Sequence, residues 1–187
     1  MKNLLLSIPV IALAAACSHH PMDAYPDYLA SHQNKLTLPA LHKPVTYTLA
    51  AQADQPRKTT HGDLMHSYYI EFSKVLHATM SSADVRRAFD GVSYAAGGPG
   101  LHIDFGVATC DFDQYRSVVD LTVSGSLDDR PIMQRTYHAE GESEAGKILA
   151  LGDLAVPSAM RESTKVAMDK ILPQLIADLQ VALGAAR

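Results

Sequence analysis

Residue types that bind metals or transfer protons lie on predicted strands in the second half of the chain. His102 and Asp104 alternate with apolar residues and share one strand face, and Cys110 has the same parity if no bulge intervenes. With His138 on a neighbouring strand, these groups would suit zinc. No tight ligand spacing supports such a site, and alternation alone places polar residues on the exposed face of a one-sided sheet. We therefore predict no metal, no cofactor and no catalytic residue, and the alternative is an envelope enzyme or metal-binding protein using His102, Asp104 and His138.

Other signatures of chemistry are weak or missing. No Gly-x-Ser-x-Gly nucleophile motif occurs, and the sequence at 97–100, Gly-Gly-Pro-Gly, lacks the Lys and Ser/Thr of a phosphate-binding loop. Asp63 and His66 lie three residues apart on a predicted helix, without a nucleophile that matches them. The chain has 16 basic and 20 acidic residues, and this mild acidity argues against nucleic-acid binding.

The first seventeen residues have the features of an export signal. Lys2 precedes an uncharged apolar run at 4–16, which ends in three alanines before Cys17. This run is too short to cross a hydrocarbon core of roughly 30 Å, which needs about 20 helical residues. Small side chains before a cysteine resemble the lipobox of bacterial lipoproteins, which implies removal of residues 1–16 and acylation of Cys17. The alanines also satisfy the pattern of ordinary secretory cleavage, which would release a soluble periplasmic protein.

The fates of the two cysteines are linked. If Cys17 is acylated, Cys110 is left alone, whereas an unacylated Cys17 would be able to form a disulfide with Cys110. Ser18, rather than Asp, resembles the signal of lipoproteins directed to the outer membrane. The resemblance implies a protein anchored there by lipid, with its domain facing the periplasm, because two or three acyl chains give stable anchoring.

Composition divides the rest of the chain into a tether and one domain. Residues 17–43, the lipidated N-terminus and a flexible tether, contain three prolines and no helical apolar period. A flexible segment of this length spans about 25–30 Å. Its Tyr and Leu side chains exceed what an inert spacer needs, so packing of part of it on the domain or on a partner stays open. We assign residues 44–187 to a single domain.

Hydrophobic periodicity predicts the elements of that domain. Alternation predicts a strand near 45–49 and three further strands that begin near Leu101, Tyr115 and Ile132. Helical spacing predicts a helix from Asp63, a short one after Ser82 and a long one from Pro157 to Leu183, with a kink or interruption at Pro173. The order β-α-β-β-β-α predicts an α+β two-layer sandwich, with helices on one face of a mostly antiparallel sheet.

This order behind a lipidated cysteine resembles a group of small outer-membrane lipoproteins of Gram-negative bacteria. The group includes the LPS-assembly lipoprotein, YajG-type lipoproteins and auxiliary lipoproteins of ABC-type transport systems. The resemblance covers roughly residues 45–183 and transfers no functional residue. It implies a non-catalytic binding, assembly or transport-accessory role, with the lipid bilayer bound through acylated Cys17 and an envelope protein as partner. A cell-surface or secretion-system-associated lipoprotein is a further alternative.

Overall fold

The computed structural model describes residues 17–32, 36–59, 66–144 and 155–186 of the 187-residue chain. These residues form strands β1 (Cys17–His19), β2 (Pro44–Leu49), β3 (Arg57–Lys58), β4 (His66–Ile70), β5 (Gly91–Tyr94), β6 (Leu101–Asp113), β7 (Arg116–Leu127) and β8 (Arg130–Glu142). They also form helices α1 (Tyr25–Ser31), α2 (Phe72–Met80), α3 (Ala83–Ala88) and α4 (Val156–Ala185), with short 3-10 helices at Pro21–Ala24 and Ala51–Asp54.

The main sheet has five strands in the order β5-β2-β6-β7-β8. Strands β6, β7 and β8 form the predicted antiparallel meander, whereas β2 runs parallel to both β5 and β6. The chain between β2 and β5 passes through α2 and α3, as a parallel pair requires a crossover connection. The predicted α+β class, with a mostly antiparallel sheet and helices packed alongside it, is confirmed.

Helix α4 covers strands β7 and β8 and closes the core. Its predicted apolar stripe is buried, from Met160 to Leu183. Pro157 lies in its first turn, where the missing N–H costs nothing. The helix continues through Pro173, so the predicted interruption does not occur. Beside this proline the Gln174 side-chain amide donates to the Lys170 carbonyl at 3.1 Å.

The helix predicted from Asp63 begins later than expected. Residues 66–70 form strand β4, in which Tyr68 and Ile70 are buried, and α2 starts only at Phe72. The sequence His-Ser-Tyr-Tyr-Ile favours a strand because aromatic and β-branched side chains fit a pleated surface. Strand β4 lies between β1 and β3 in a second, three-stranded sheet that periodicity did not predict. Asp63 and Leu64 lie outside the described residues.

The segment predicted to be a flexible tether is folded over residues 17–32. Strand β1 pairs with β4, and Met22 and Tyr25 are completely buried in the core. Lys74 of α2 forms an ion pair with Asp23. The difference from the prediction has a physical reason: Met22 and Tyr25 bring large apolar side chains to the helical layer, and their burial stabilises the docked segment.

A β-bulge in β6 changes which of its residues face the core. Phe105 pairs with Val123 and Ala108 with Leu121, so two residues of β6 oppose one of β7. Before the bulge the odd-numbered residues point inward, and after it the even-numbered residues do. Cys110 is therefore buried, on the opposite face from His102 and Asp104, and the shared parity expected in the absence of a bulge does not hold.

Among the described residues, no helix has both the length and the apolar character needed to cross a membrane.

Substitution of Leu175 tests the placement of α4. Leu175 is 2% exposed, so Leu175→Asp should bury an unpaired carboxylate and lower the free energy of unfolding by several kcal/mol. Val181→Asp is the matched control, because Val181 lies on the same helix and is 73% exposed. Urea unfolding should leave the control within about 0.5 kcal/mol of the parent. Similar losses in both variants would contradict the placement.

Candidate functional site

His102 is held by two threonines of the neighbouring strand. Pairing of β2 with β6 sets Thr46 opposite His102 and Thr48 opposite Asp104. The imidazole Nδ1 lies 2.8 Å from the Thr46 hydroxyl, and Nε2 lies 3.1 Å from the Thr48 hydroxyl. Thr48 donates its proton to Asp104 at 2.8 Å, so it accepts from Nε2. In the neutral imidazole, Nδ1 is then the acceptor for Thr46. We call these four residues the His102 network.

The loop between β5 and β6 covers this network. A Cβ atom added to Gly97 would lie 3.7 Å from His102 Cδ2 and 3.7 Å from Asp129 Oδ1, so the backbone of the loop passes over the ring. His102 is only 9% exposed as a result. An open groove of about 310 Å³ adjoins it, lined by residues of β2, β5 and the start of β6, with Thr46 shared between groove and network.

Hydrogen bonds hold the four side chains of the His102 network in fixed positions. Both imidazole nitrogens already have hydroxyl partners, and the Asp104 carboxylate accepts from Thr48. Binding a metal ion or removing a substrate proton would first require breaking one of these hydrogen bonds. The arrangement therefore has a structural role: it ties β2 to β6 beside the groove.

His138 does not join His102 and Asp104. It lies on β8 opposite Asp120 of β7, with Nδ1 2.8 Å from Oδ1 of that carboxylate. Asp120 is six residues along β7 from Ser126, the residue that pairs with His102, or about 20 Å at 3.3 Å per residue. The alternative zinc or catalytic set is thus not assembled, because β7 separates the strands and the register offsets them. Within the described ranges, no group of three or more His, Cys, Asp and Glu side chains could hold a metal ion.

Cys110 lies in a buried polar layer beneath α4. Its sulfur is 3.7 Å from the Thr164 hydroxyl, which lies 3.0 Å from that of Ser117. Ser117 also contacts Ser163 at 2.6 Å. Burial raises the pKa of the Cys110 thiol to about 12, because removal from water disfavours the thiolate. The thiol is free and has the properties of a structural rather than a reactive cysteine.

An aromatic group at the sheet edge was not anticipated from the sequence. The Tyr47 hydroxyl lies 2.8 Å from His77 Nδ1, and the His77 ring meets Tyr94 edge-on at a centroid distance of 4.7 Å. Tyr94 is 59% exposed on the edge strand β5. Tyr47 lies in the predicted strand near 45–49 and His77 in the helix predicted from Asp63. Periodicity gave no signal for β5, so the contact of these two residues with Tyr94 could not be predicted.

A small, mainly apolar cavity of about 30 Å³ lies where α1 meets α2 and α4. The hydroxyls of Tyr25 and Thr79 border this buried space and lie near each other, and neither makes a well-formed hydrogen bond to the protein. Lys165 pairs with Asp169 at 2.5 Å in its wall. Burial, with a smaller contribution from the Asp169 charge, raises the pKa of Tyr25 above its usual value. A cavity of this size holds one or two water molecules.

Cys17, the predicted lipidation site, is the first residue of β1 and pairs with His66 of β4. The N-terminal edge of the small sheet is therefore the point at which an acyl anchor would join the domain.

No family model matches the chain, and no curated protein matches it. Among solved structures the chain is similar to the crystal structure of a Xanthomonas campestris protein of family DUF330, with 16% sequence identity and a TM-score of 0.47. The alignment covers 82% of this chain and 91% of that chain. No residue role is carried over from this similarity.

The two outer-face histidines should differ in their contribution to stability. His102→Ala removes a buried ring and leaves the Thr46 hydroxyl without its partner, which should lower the free energy of unfolding by about 1–3 kcal/mol. His138→Ala is the matched control, because its pair with Asp120 is exposed and should contribute about 0.5 kcal/mol or less. Denaturant titration of both variants checks this, and equal losses would contradict the described burial of His102.

Two tyrosine substitutions test the unpartnered hydroxyl at the α1 cavity. Tyr25→Phe removes a buried hydroxyl that lacks a partner, so the free energy of unfolding should stay the same or rise. Tyr137→Phe is the comparison, because it removes a 2.9 Å hydrogen bond to Asp178 and should cost about 1 kcal/mol. Thermal and urea unfolding would measure both. A loss in Tyr25→Phe as large as in Tyr137→Phe would show that Tyr25 has a partner.

Proposed function

We propose that the protein is a lipoprotein of the bacterial outer membrane, anchored through acylated Cys17, with a non-catalytic binding or transport-accessory role in the envelope. The proposal is supported first by the N-terminal sequence, in which an uncharged apolar run and three alanines lead directly to Cys17. That pattern is typical of exported lipoproteins and too short for a membrane span.

The observation that carries the proposal is the pairing of Cys17 with His66, together with the burial of side chains that follow soon after it. Cleavage between residues 16 and 17 would keep the pairing of residues 17–19 with β4, and with it Met22 and Tyr25 in the core. A cut several residues further along would remove the β1–β4 pairing. The cleavage point expected for a lipoprotein is therefore compatible with the folded domain.

The proposed binding role is favoured by what the outer surface offers. The His102 network is held by mutual hydrogen bonds and covered by a loop, so a partner would meet the open groove beside it, which Thr46 also lines. Tyr94 is an exposed aromatic side chain on the edge strand β5, a residue type enriched at protein interfaces, and it lies on the Tyr47 face of the sheet, opposite to Thr46 and His102. We propose an envelope protein as the partner at this end of the sheet.

Acylation can be tested directly in a Gram-negative host. Cells expressing the full chain are labelled with a palmitate analogue, and the protein is recovered from separated membranes. The parent should carry label and sediment with the outer membrane, whereas Cys17→Ser should carry none and leave the membrane fraction.

Cys110→Ser is the matched control, because it removes the other cysteine from a buried position. It should label as the parent does. An unlabelled parent found in the soluble periplasmic fraction would overturn the proposed anchor, and label that depends on Cys110 would overturn the assigned site.

A further inference from the structure

We propose that the end of the domain formed by the small sheet and the β6–β7 turn lies against the phospholipid headgroups, and that the His102 network points away from the bilayer. We call these the anchored end and the distal end. The inference rests on the proposed acylation of Cys17 and adds an orientation that the anchor alone does not specify.

No spacer separates the proposed anchor at Cys17 from the folded domain. Cys17 is itself paired with His66, and Ser18 and His19 pair with the next two residues of β4. An extended chain advances at most about 3.6 Å per residue, so His19 lies within roughly 7 Å of Cys17. Acyl chains on Cys17 would therefore hold the edge of the small sheet at the headgroup layer, with little freedom to lift away.

Strand β3 connects the small sheet, which contains Cys17, with one end of the main sheet. Strand β3 runs antiparallel to β4, with Arg57 opposite Ile70, and the Thr59 amide donates to the Tyr68 carbonyl. Strand β3 thus runs toward the end at which Cys17 lies. Arg57 also forms an ion pair with Asp111 at 3.3 Å, which sets β3 beside the last residues of β6.

A cavity of about 140 Å³ is lined by residues 57–59 and by residues 110–113, so β3 lies beside the last residues of β6. The turn at 114–115 follows directly. The Ser143 amide donates to the Tyr115 carbonyl at 2.9 Å, which brings the end of β8 to the same place. The Arg161 guanidinium near the start of α4 donates to the Pro21 carbonyl at 3.3 Å, and the Ser143 hydroxyl donates to the neighbouring Glu162, so the chain that follows Cys17 lies at the same end as the β6–β7 turn.

The His102 network lies at the opposite end of the main sheet from the β6–β7 turn. His102 pairs with Ser126, next to the β7–β8 turn, and the Asp128 amide donates to the Gly100 carbonyl at 3.0 Å. Strand β7 has 12 residues, so its two ends are about 36 Å apart when straight and closer where the sheet curls. The length of the domain itself, rather than a tether, would carry the network away from the bilayer.

The charged side chains of the anchored end determine how it would contact lipid headgroups. Lys58 is exposed, whereas Arg57 and Arg116 are about half exposed and form ion pairs with Asp111 and Glu140. Asp113 and Glu142 lie at the same end, so this surface carries no net positive charge to attract anionic headgroups. The covalent anchor therefore holds this surface on the bilayer, and the contact should depend little on salt.

Two single-cysteine variants measure the orientation. In the acylated Cys110→Ser protein, Lys58→Cys marks the anchored end and Arg130→Cys the distal end; both sites are exposed strand residues that carry a positive charge in the parent. Each is labelled with an environment-sensitive fluorophore in phosphatidylethanolamine–phosphatidylglycerol vesicles that contain a headgroup spin-labelled lipid. Quenching at position 58 should exceed that at position 130 several-fold, in low and in high salt. Equal quenching, or stronger quenching at 130, would overturn the orientation.

A spacer variant tests the cause of the contact. About twelve Gly and Ser residues are inserted after Cys17. The last inserted residue is a serine, which occupies the position of Cys17 in β1. Such a spacer spans roughly 17–21 Å. Quenching at position 58 should fall towards that at position 130. Undiminished quenching would show that direct attachment does not hold the surface, and would overturn the proposal.

Failure of the anchor is separated from failure of the orientation on the same samples. Acylation is verified by intact mass and by flotation with vesicles before quenching is measured. A parent that is not acylated and does not float overturns the proposed function and this inference together. An acylated parent with equal quenching at the two sites overturns the orientation alone.

Discussion

The close packing of α4 on β7 and β8 is the constraint on which the rest of the structure depends. Where helix and sheet meet, a Cβ atom on Gly141 would lie 1.9 Å from the Ser163 carbonyl oxygen and 2.6 Å from the Ala167 amide, so only glycine allows this approach. Ser117 and Thr164 fill the seam with short side chains whose hydroxyls satisfy one another. The apolar stripe of α4 can then pack against the inner face of the sheet.

That core decides where the polar residues lie. The inner face of the sheet is committed to the core, so the outer face receives the threonines, serines, aspartates and histidines of the alternating pattern. On that outer face, strand register decides which of them meet. It joins His102 to the threonines of β2 and sends His138 to Asp120, which yields two separate hydrogen-bonded groups in place of one metal-binding set.

The docked N-terminal segment changes what an anchor at Cys17 would mean. A flexible tether would let the domain rotate and diffuse above the bilayer, whereas a strand that begins at Cys17 would fix both height and orientation. Docking is not perfectly complementary, because the hydroxyls of Tyr25 and Thr79 remain unpartnered where α1 meets α2 and α4. Burial of Met22 and Tyr25 is the larger effect, since it removes two complete side chains from water.

Periodicity alone determined the meander β6–β8, strand β2, the short helix after Ser82 and the stripe of α4, because each buries one face and the pattern of apolar residues records it. Only the tertiary structure decided the rest. The bulge after Phe105 turned Cys110 into the core, which local alternation does not encode. Strand β4 occupies residues 66–70, where helical spacing predicts the start of a helix. Strand β1 lies in the segment predicted to be a tether. Both are short strands, which are stabilised by distant partners rather than by their own sequence. The separation of His138 from His102 likewise depends on pairing between strands, which a single strand's pattern does not contain.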